Sequence, residues 1–239
     1  MRLVSAAVND MRYQVKYGFY FLYAFITVLY ITILIFLPAQ FKAIGASLIL
    51  LTDPAMLGFF FIGGIWLLEK DEGVHMFYGI SPLRPAEYIF SKAVSLAMLS
   101  TLSAFFIVLI GVGNSVVFPL LLASIFIGAC IFTLLGLTVA TFSKSVNHYM
   151  ILGIPIGVVL ILPPILTAFG ISHLIFDLFP GTMLWRLLDA SIYAQADMVE
   201  RFLFLELTIW LGLSILVAVL RVPAVLQSDG GEIKHEKNL

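Results

Sequence analysis

The chain is predicted to be an all-α membrane protein with six transmembrane helices. Three observations predict this. Hydrophobic residues fill 62% of 239 positions and charged residues only 11%. Mean hydropathy is +1.09. The apolar residues also gather into long runs separated by short polar connections. Soluble domains are about half apolar and about a quarter charged, so this balance leaves too little polar surface to close an aqueous globule, and lipid must be the solvent. Each spanning helix needs roughly 20 apolar residues, which six spans and their connections nearly exhaust.

The elements follow in order. In residues 1–17, Val4, Ala7, Val8, Met11 and Val15 recur at helical spacing with Arg2, Asn9, Asp10, Arg12 and Lys16 between them, the pattern of an N-terminal interfacial helix. The first span covers about 19–37 and ends at Pro38; it is long, aromatic-rich and without a small-residue cleavage pattern, so it reads as a retained span. The second apolar region, 43–68, is interrupted by Thr52, Asp53 and Pro54. Asp53-Pro54 suits an N-cap followed by a first helical residue, so the span is expected to restart there. The alternative places Asp53 on a substrate path, because a carboxylate at mid-helix costs about 2.5–3.5 kcal/mol and must face protein or water.

The third span is expected over 89–111, the fourth over 116–141, the fifth over 149–169 and the sixth over 202–220. Gly153 and Gly157 form a Gly-x-x-x-Gly pair on the fifth, which permits close helix approach either at a dimer interface or within the chain. Trp66, Trp185 and Trp210 read as interface or packing aromatics. In 170–201, Pro180-Gly181 opens an amphipathic stretch from Met183 to Tyr193 that fits either a re-entrant element before the last span or an exposed loop on the outer side. Glu206, with Glu200 and Arg201 nearby, sits at the outer start of the sixth span, as an interfacial residue or a second substrate-path candidate. Residues 1–221 form one transmembrane domain, and 222–239 a polar cytoplasmic tail expected to be disordered.

Charge sets the orientation. With the N-terminus inside, Arg2, Arg12, Lys16, Lys70, Arg84, Lys92, Lys144, Arg221, Lys234 and Lys237 lie on the cytoplasmic side, and Lys42, Arg186 and Arg201 outside, which accounts for all 13 basic residues. An even number of spans returns the C-terminus to the cytoplasm. A net charge of −1 offers no basic face for nucleic acid. The single cysteine, Cys130, lies in an apolar run, so neither a disulfide framework nor a thiolate metal site is expected. No Gly-Lys pair occurs, so a phosphate-cradling loop of the Gly-x-x-x-x-Gly-Lys-Ser/Thr kind is absent from these residues.

The loop between spans two and three is the informative segment. It reads Glu69-Lys70-Asp71-Glu72-Gly73, then Val74 to Ile80 with Met76, Phe77 and Tyr78, then Ser81-Pro82-Leu83-Arg84-Pro85, with Lys92 further on. Glu69 and Glu72 end a helix at the water boundary, and Gly73 lets the chain turn. An apolar, aromatic stretch between charged flanks marks a contact surface. Pro82 and Pro85 stiffen the return, and Pro85 suits a first helical turn.

This stretch, Glu69–Lys92, resembles the coupling-helix region of ABC-2-type permeases, where a Glu-x-x-x-Gly element precedes a Ser-Pro-Leu-Arg-Pro-like turn. With Tyr17-Gly18-Phe19-Tyr20, Leu57-Gly58-Phe59-Phe60-Phe61 and the Pro180 segment, the chain is similar to fluoroquinolone export permeases. The resemblance implies six spans, dimeric assembly with a second permease copy or a related permease, and a cytoplasmic coupling helix that docks into a separate ABC ATPase. ATP and Mg²⁺ would be bound by that partner, with no cofactor on this chain and no catalytic residue. Val74-His75 departs from the family pattern, in which a small polar residue and leucine follow the glycine. The expectation is therefore a multi-pass cell-membrane permease that exports a hydrophobic or amphipathic compound. The alternatives are a six-span intramembrane enzyme such as a serine protease, for which the four histidines are poorly placed, or a substrate-capture subunit of an importer.

Overall fold

The computed structural model describes residues 2–75, 84–113, 116–193 and 198–236. Among them the regular structure is helical: α1 (Arg2–Lys16), α2 (Phe19–Phe36), α3 (Ala39–Leu50), a π-turn (Leu51–Ala55), α4 (Leu57–Asp71), α5 (Pro85–Gly111), α6 (Phe118–Ala140), α7 (Val146–Ala168), a 3₁₀ turn (Phe176–Leu178), α8 (Pro180–Ile192) and α9 (Met198–Glu236). Six of these segments are long and apolar enough to cross a membrane, with α3, the π-turn and α4 acting as one. The chain is a multi-pass, all-helical membrane protein.

The second span departs from expectation at Asp53. No N-cap forms there; α3 runs through the π-turn towards α4, whose N-cap position is Met56. The physical reason lies in Pro54. It has no N–H for the Leu50 carbonyl, and its ring would crowd that carbonyl in a regular helix. Widening the turn by one residue removes the clash without ending the helix.

The helices sort into a centre and a periphery. In α6, 67% of the most apolar 18-residue window is buried, against 17% in α2, 22% in α7 and 17% in α9. The apolar surfaces of those three outer helices face lipid or a further chain. Small residues explain how closely α6 meets α4. A Cβ on Gly136 would stand 2.4 Å from the Phe59 carbonyl oxygen, and one on Gly58 would stand 1.8 Å from Thr133 Oγ1.

The buried side chains form two layers stacked along the bundle. One gathers Leu34, Leu50, Phe59, Ile107, Leu121, Leu184 and Leu207. The other gathers Tyr23, Trp66, Tyr88, Leu96, Leu137, Tyr149 and Val222. Helix α8 packs into the first. It is held by its buried face, by the Val117 N–H donating to the Ser191 carbonyl at 2.9 Å, and by Ser47 Oγ donating to Asp189 Oδ1 at 3.3 Å.

The tail also differs from expectation. The last helix does not stop near 220 but continues through Pro223 to Glu236. Val222 and Leu226 are buried against the second layer, and this apolar contact carries the helix past the point where average polarity rises.

Candidate functional site

The two ends of the loop between spans two and three meet α1 in a buried charged knot. Lys92, on the first turns of α5, is only 1% exposed. Its Nζ donates to Asp10 Oδ1 at 2.6 Å and also to Glu69 Oε1. Ser91 Oγ donates to Asp10 Oδ2 at 2.6 Å, and the Tyr88 hydroxyl donates to Glu69 Oε2 at 2.8 Å. One turn along, Gln14 Nε2 donates to Ser95 Oγ at 2.9 Å. Each ion is thus paired and hydrogen-bonded, the condition under which a buried charge is tolerated.

The sequence explains the local geometry. Tyr88, Ser91, Lys92 and Ser95 recur at three- and four-residue spacing and so share one face of α5. Asp10 and Gln14 do the same on α1. α1 is thus seated on α5 by the buried polar side chains of Asp10 and Gln14, while Val8 and Val15 of its apolar face stay exposed. The Lys92 ammonium also lies 5.3 Å from the Tyr88 ring centre and 5.8 Å from that of Tyr13, within cation–π range.

A second tie closes the other side. The Tyr17 hydroxyl donates to Glu72 Oε1 at 2.5 Å and that of Tyr13 to Glu72 Oε2 at 3.2 Å. Burial, the neighbouring Tyr17 hydroxyl and the Glu72 charge push the Tyr13 phenol above its ordinary value, so it stays a proton donor. Gly73 then turns the chain at φ +72°, a conformation in which glycine meets no Cβ penalty. His75 is buried, with its ring centre 4.2 Å from that of Trp66 and Nε2 4.0 Å from Glu69 Oε2. On the return, the Arg84 N–H donates to Glu87 Oε2 at 2.8 Å, and Pro85 is the first residue of α5.

Of the residues predicted to contact a partner, Glu69 does not stand at the water boundary: it is 4% exposed and committed to Lys92 and Tyr88. Glu72, Gly73, Arg84 and Pro85 frame the loop, whereas Met76, Phe77, Tyr78, Ser81 and Pro82 lie outside the described residues. Gly153 and Gly157 face the chain's own second span; a Cβ on Gly153 would stand 3.5 Å from the Phe59 ring, and one on Gly157 3.2 Å from the Phe60 ring. The close approach that this pair permits is made within the chain. Trp66 is likewise a buried packing residue and not an interface aromatic.

Asp53 is half-buried in the π-turn and accepts a hydrogen bond from the Tyr23 hydroxyl at 3.3 Å. Glu206 is exposed on α9, lining a cleft with Asp177 and Arg186 of which Asp53 is not part. The structure does not bring the two acids into one site. Sequence reasoning overlooked Asp10, Gln14, Tyr88 and Ser95. The available signal was Lys92 itself, a cation inside an apolar helix that must find partners.

The sequence that builds these six spans and the N-terminal helix matches a known protein family. The profile of the fluoroquinolones export permease protein family matches residues 1–226. The chain belongs to that family. Curated relatives include fluoroquinolones export permease proteins from two strains of Mycobacterium tuberculosis, each 26% identical over 170 residues, covering 71% of this chain and 72% of the relative. The matched residues take in both α1 and the whole inter-span loop, and with them the residues of the charged knot.

Proposed function

We propose that this permease is the membrane subunit of an ATP-driven exporter of the ABC-2 type. It moves a hydrophobic or amphipathic compound, such as a fluoroquinolone, out of the cell. A separate ABC ATPase binds ATP and Mg²⁺ and docks on the loop at residues 74–83. Two permease bodies, identical or related, enclose the path and alternate access to it. The protein resides in the cell membrane with both termini in the cytoplasm. Family membership supports the export reading, as do the names of the relatives.

The observation that carries the coupling reading is the clamp at both feet of the loop. Glu72 ties the outgoing end of the loop to α1 through Tyr13 and Tyr17, Lys92 ties the returning helix to α1 through Asp10, and Glu69 joins α4 to that helix through Lys92. A push on the loop is then delivered to α1, α4 and α5 together instead of being absorbed by a floppy connection. The two glutamates position the contact surface and do not themselves form it.

The test replaces Phe77 and Tyr78 with alanine. Truncating aromatic anchors at an interface costs about 2 kcal/mol or more, roughly thirtyfold in affinity. The double variant is expected to reach the membrane at normal levels while losing ATPase capture and transport. Trp210→Ala is the control; its indole donates to the Leu178 carbonyl at 3.1 Å at the other end of the bundle, and it should leave capture intact. Undiminished capture and transport by the double variant would remove the loop from the mechanism.

A further inference from the structure

At the end of the bundle away from the charged knot, the 3₁₀ turn, α8 and α9 enclose a cleft of about 540 Å³. Small-molecule sites occupy about 300–1,000 Å³ and combine apolar walls with a few placed polar groups. Here Leu178, Met183, Phe202 and Leu203 supply the walls. The charges are Asp177, Arg186 and Glu206. Arg186 Nη2 stands 2.5 Å from Asp177 Oδ1, so that acid is already neutralised within the lining. Glu206 is exposed to the cleft, and among the described residues no basic side chain stands within ion-pair distance of it. The lining therefore carries one surplus negative charge beside an apolar wall.

We propose that this cleft binds an amphipathic cation, its apolar body against Met183 and Phe202 and its charge facing Glu206. A compact positive head on a hydrophobic body satisfies both features at once, whereas an anion meets an uncompensated carboxylate. The same chemistry belongs to a dissolved organic cation and to the amine of a lipid headgroup. As a cargo site the cleft rests on the export reading above; as a binding site it rests on the lining alone.

The test is equilibrium dialysis on the full-length permease in non-ionic, lipid-free maltoside micelles, with empty micelles as background. The probes are tetraphenylphosphonium and tetraphenylborate, which share one body and differ in the sign of the charge. Wild type is expected to hold the cation in preference to the anion. Glu206→Gln should weaken cation binding about fivefold, the scale of a part-exposed ion pair. Arg186→Gln unmasks Asp177 and should tighten cation binding by a similar factor. A general disturbance of the cleft would weaken binding in both variants, so opposite responses identify the charge effect. Equal binding of the two probes by wild type, or an unchanged Glu206→Gln variant, overturns the proposal. Displacement of the bound cation by added phosphatidylethanolamine assigns the site to lipid amines, and its persistence assigns it to dissolved cations; either fulfils the proposal. No ATPase is present in the assay, so failure to find a partner sinks the exporter reading without touching this result.

Discussion

Lys92 Nζ lies 2.6 Å from Asp10 Oδ1, a bond that joins the N-terminal helix to the third span across 82 positions of sequence. Glu69 completes the knot from the second span. One cation thus holds three helical segments together, in a place where water is excluded from the ammonium.

Lys92→Met is expected to be among the most damaging single substitutions in the chain. It leaves Asp10 and Glu69 facing each other without their cation, and breaking one partner of a buried pair costs about 3–5 kcal/mol. Thermal unfolding in detergent should report a large fall in midpoint. Adding Asp10→Asn and Glu69→Gln to the same variant removes the stranded charges and should recover most of the loss. A single variant as stable as wild type would mean that the knot contributes nothing to the fold.

Gly136→Ala places a Cβ 2.4 Å from the Phe59 carbonyl oxygen and 2.8 Å from its Cα. Both are backbone atoms that cannot swing aside, so α4 and α6 must separate, at about 1–3 kcal/mol for overpacking. Gly212→Ala is the matched comparison on α9, where a Cβ meets nothing within 4 Å. It should be neutral or up to about 1 kcal/mol more stable from helix propensity. Denaturant titration of the two variants side by side checks the contrast, and equal effects would refute the close helix crossing.

Orientation is checked with single cysteines introduced in a Cys130→Ser background. Lys42, on the first turn of α3, and Lys144, between α6 and α7, fall at opposite ends of the bundle. An impermeant thiol reagent on intact cells should label Lys42→Cys at once and Lys144→Cys only after permeabilisation. The reverse pattern would invert the proposed topology.

The spans were legible because hydropathy measures transfer to lipid, and every span, central or outer, is built of residues that leave water. All six appear where the apolar runs place them, with ends shifted by a few residues. What escaped were features set by contacts distant in sequence. Asp53-Pro54 has the composition of a helix start, and only a regular helix on either side reveals a widened turn. Gly153 and Gly157 signal a close neighbour without naming it, and Phe59 and Phe60 are the neighbours. Lys92 entered the orientation argument as a charge at the inner membrane face. Its burial depends on Asp10, whose own polarity marked it for the solvent side of α1. The loop was read as a contact surface, but the bonds that fix its feet to α1 join residues 55 to 82 positions apart.

The π-turn at Leu51–Ala55 also sets the rotational phase of the second span. Ala46, Ser47 and Leu50 on one side of it are buried, Ser47 against α8, and Gly58, Phe59 and Ile62 on the other side are buried against α6 and its neighbours. The extra residue lets those two stripes point where each is needed. Substitutions within the turn leave that phase intact as long as the residue count is kept. Deleting one residue would rotate α3 relative to α4 by about 100°, one residue's share of a helical turn, and swing Ala46 and Leu50 out of the core. Sequences related to this one are therefore expected to vary in the identity of residues 51–55 far more readily than in their number.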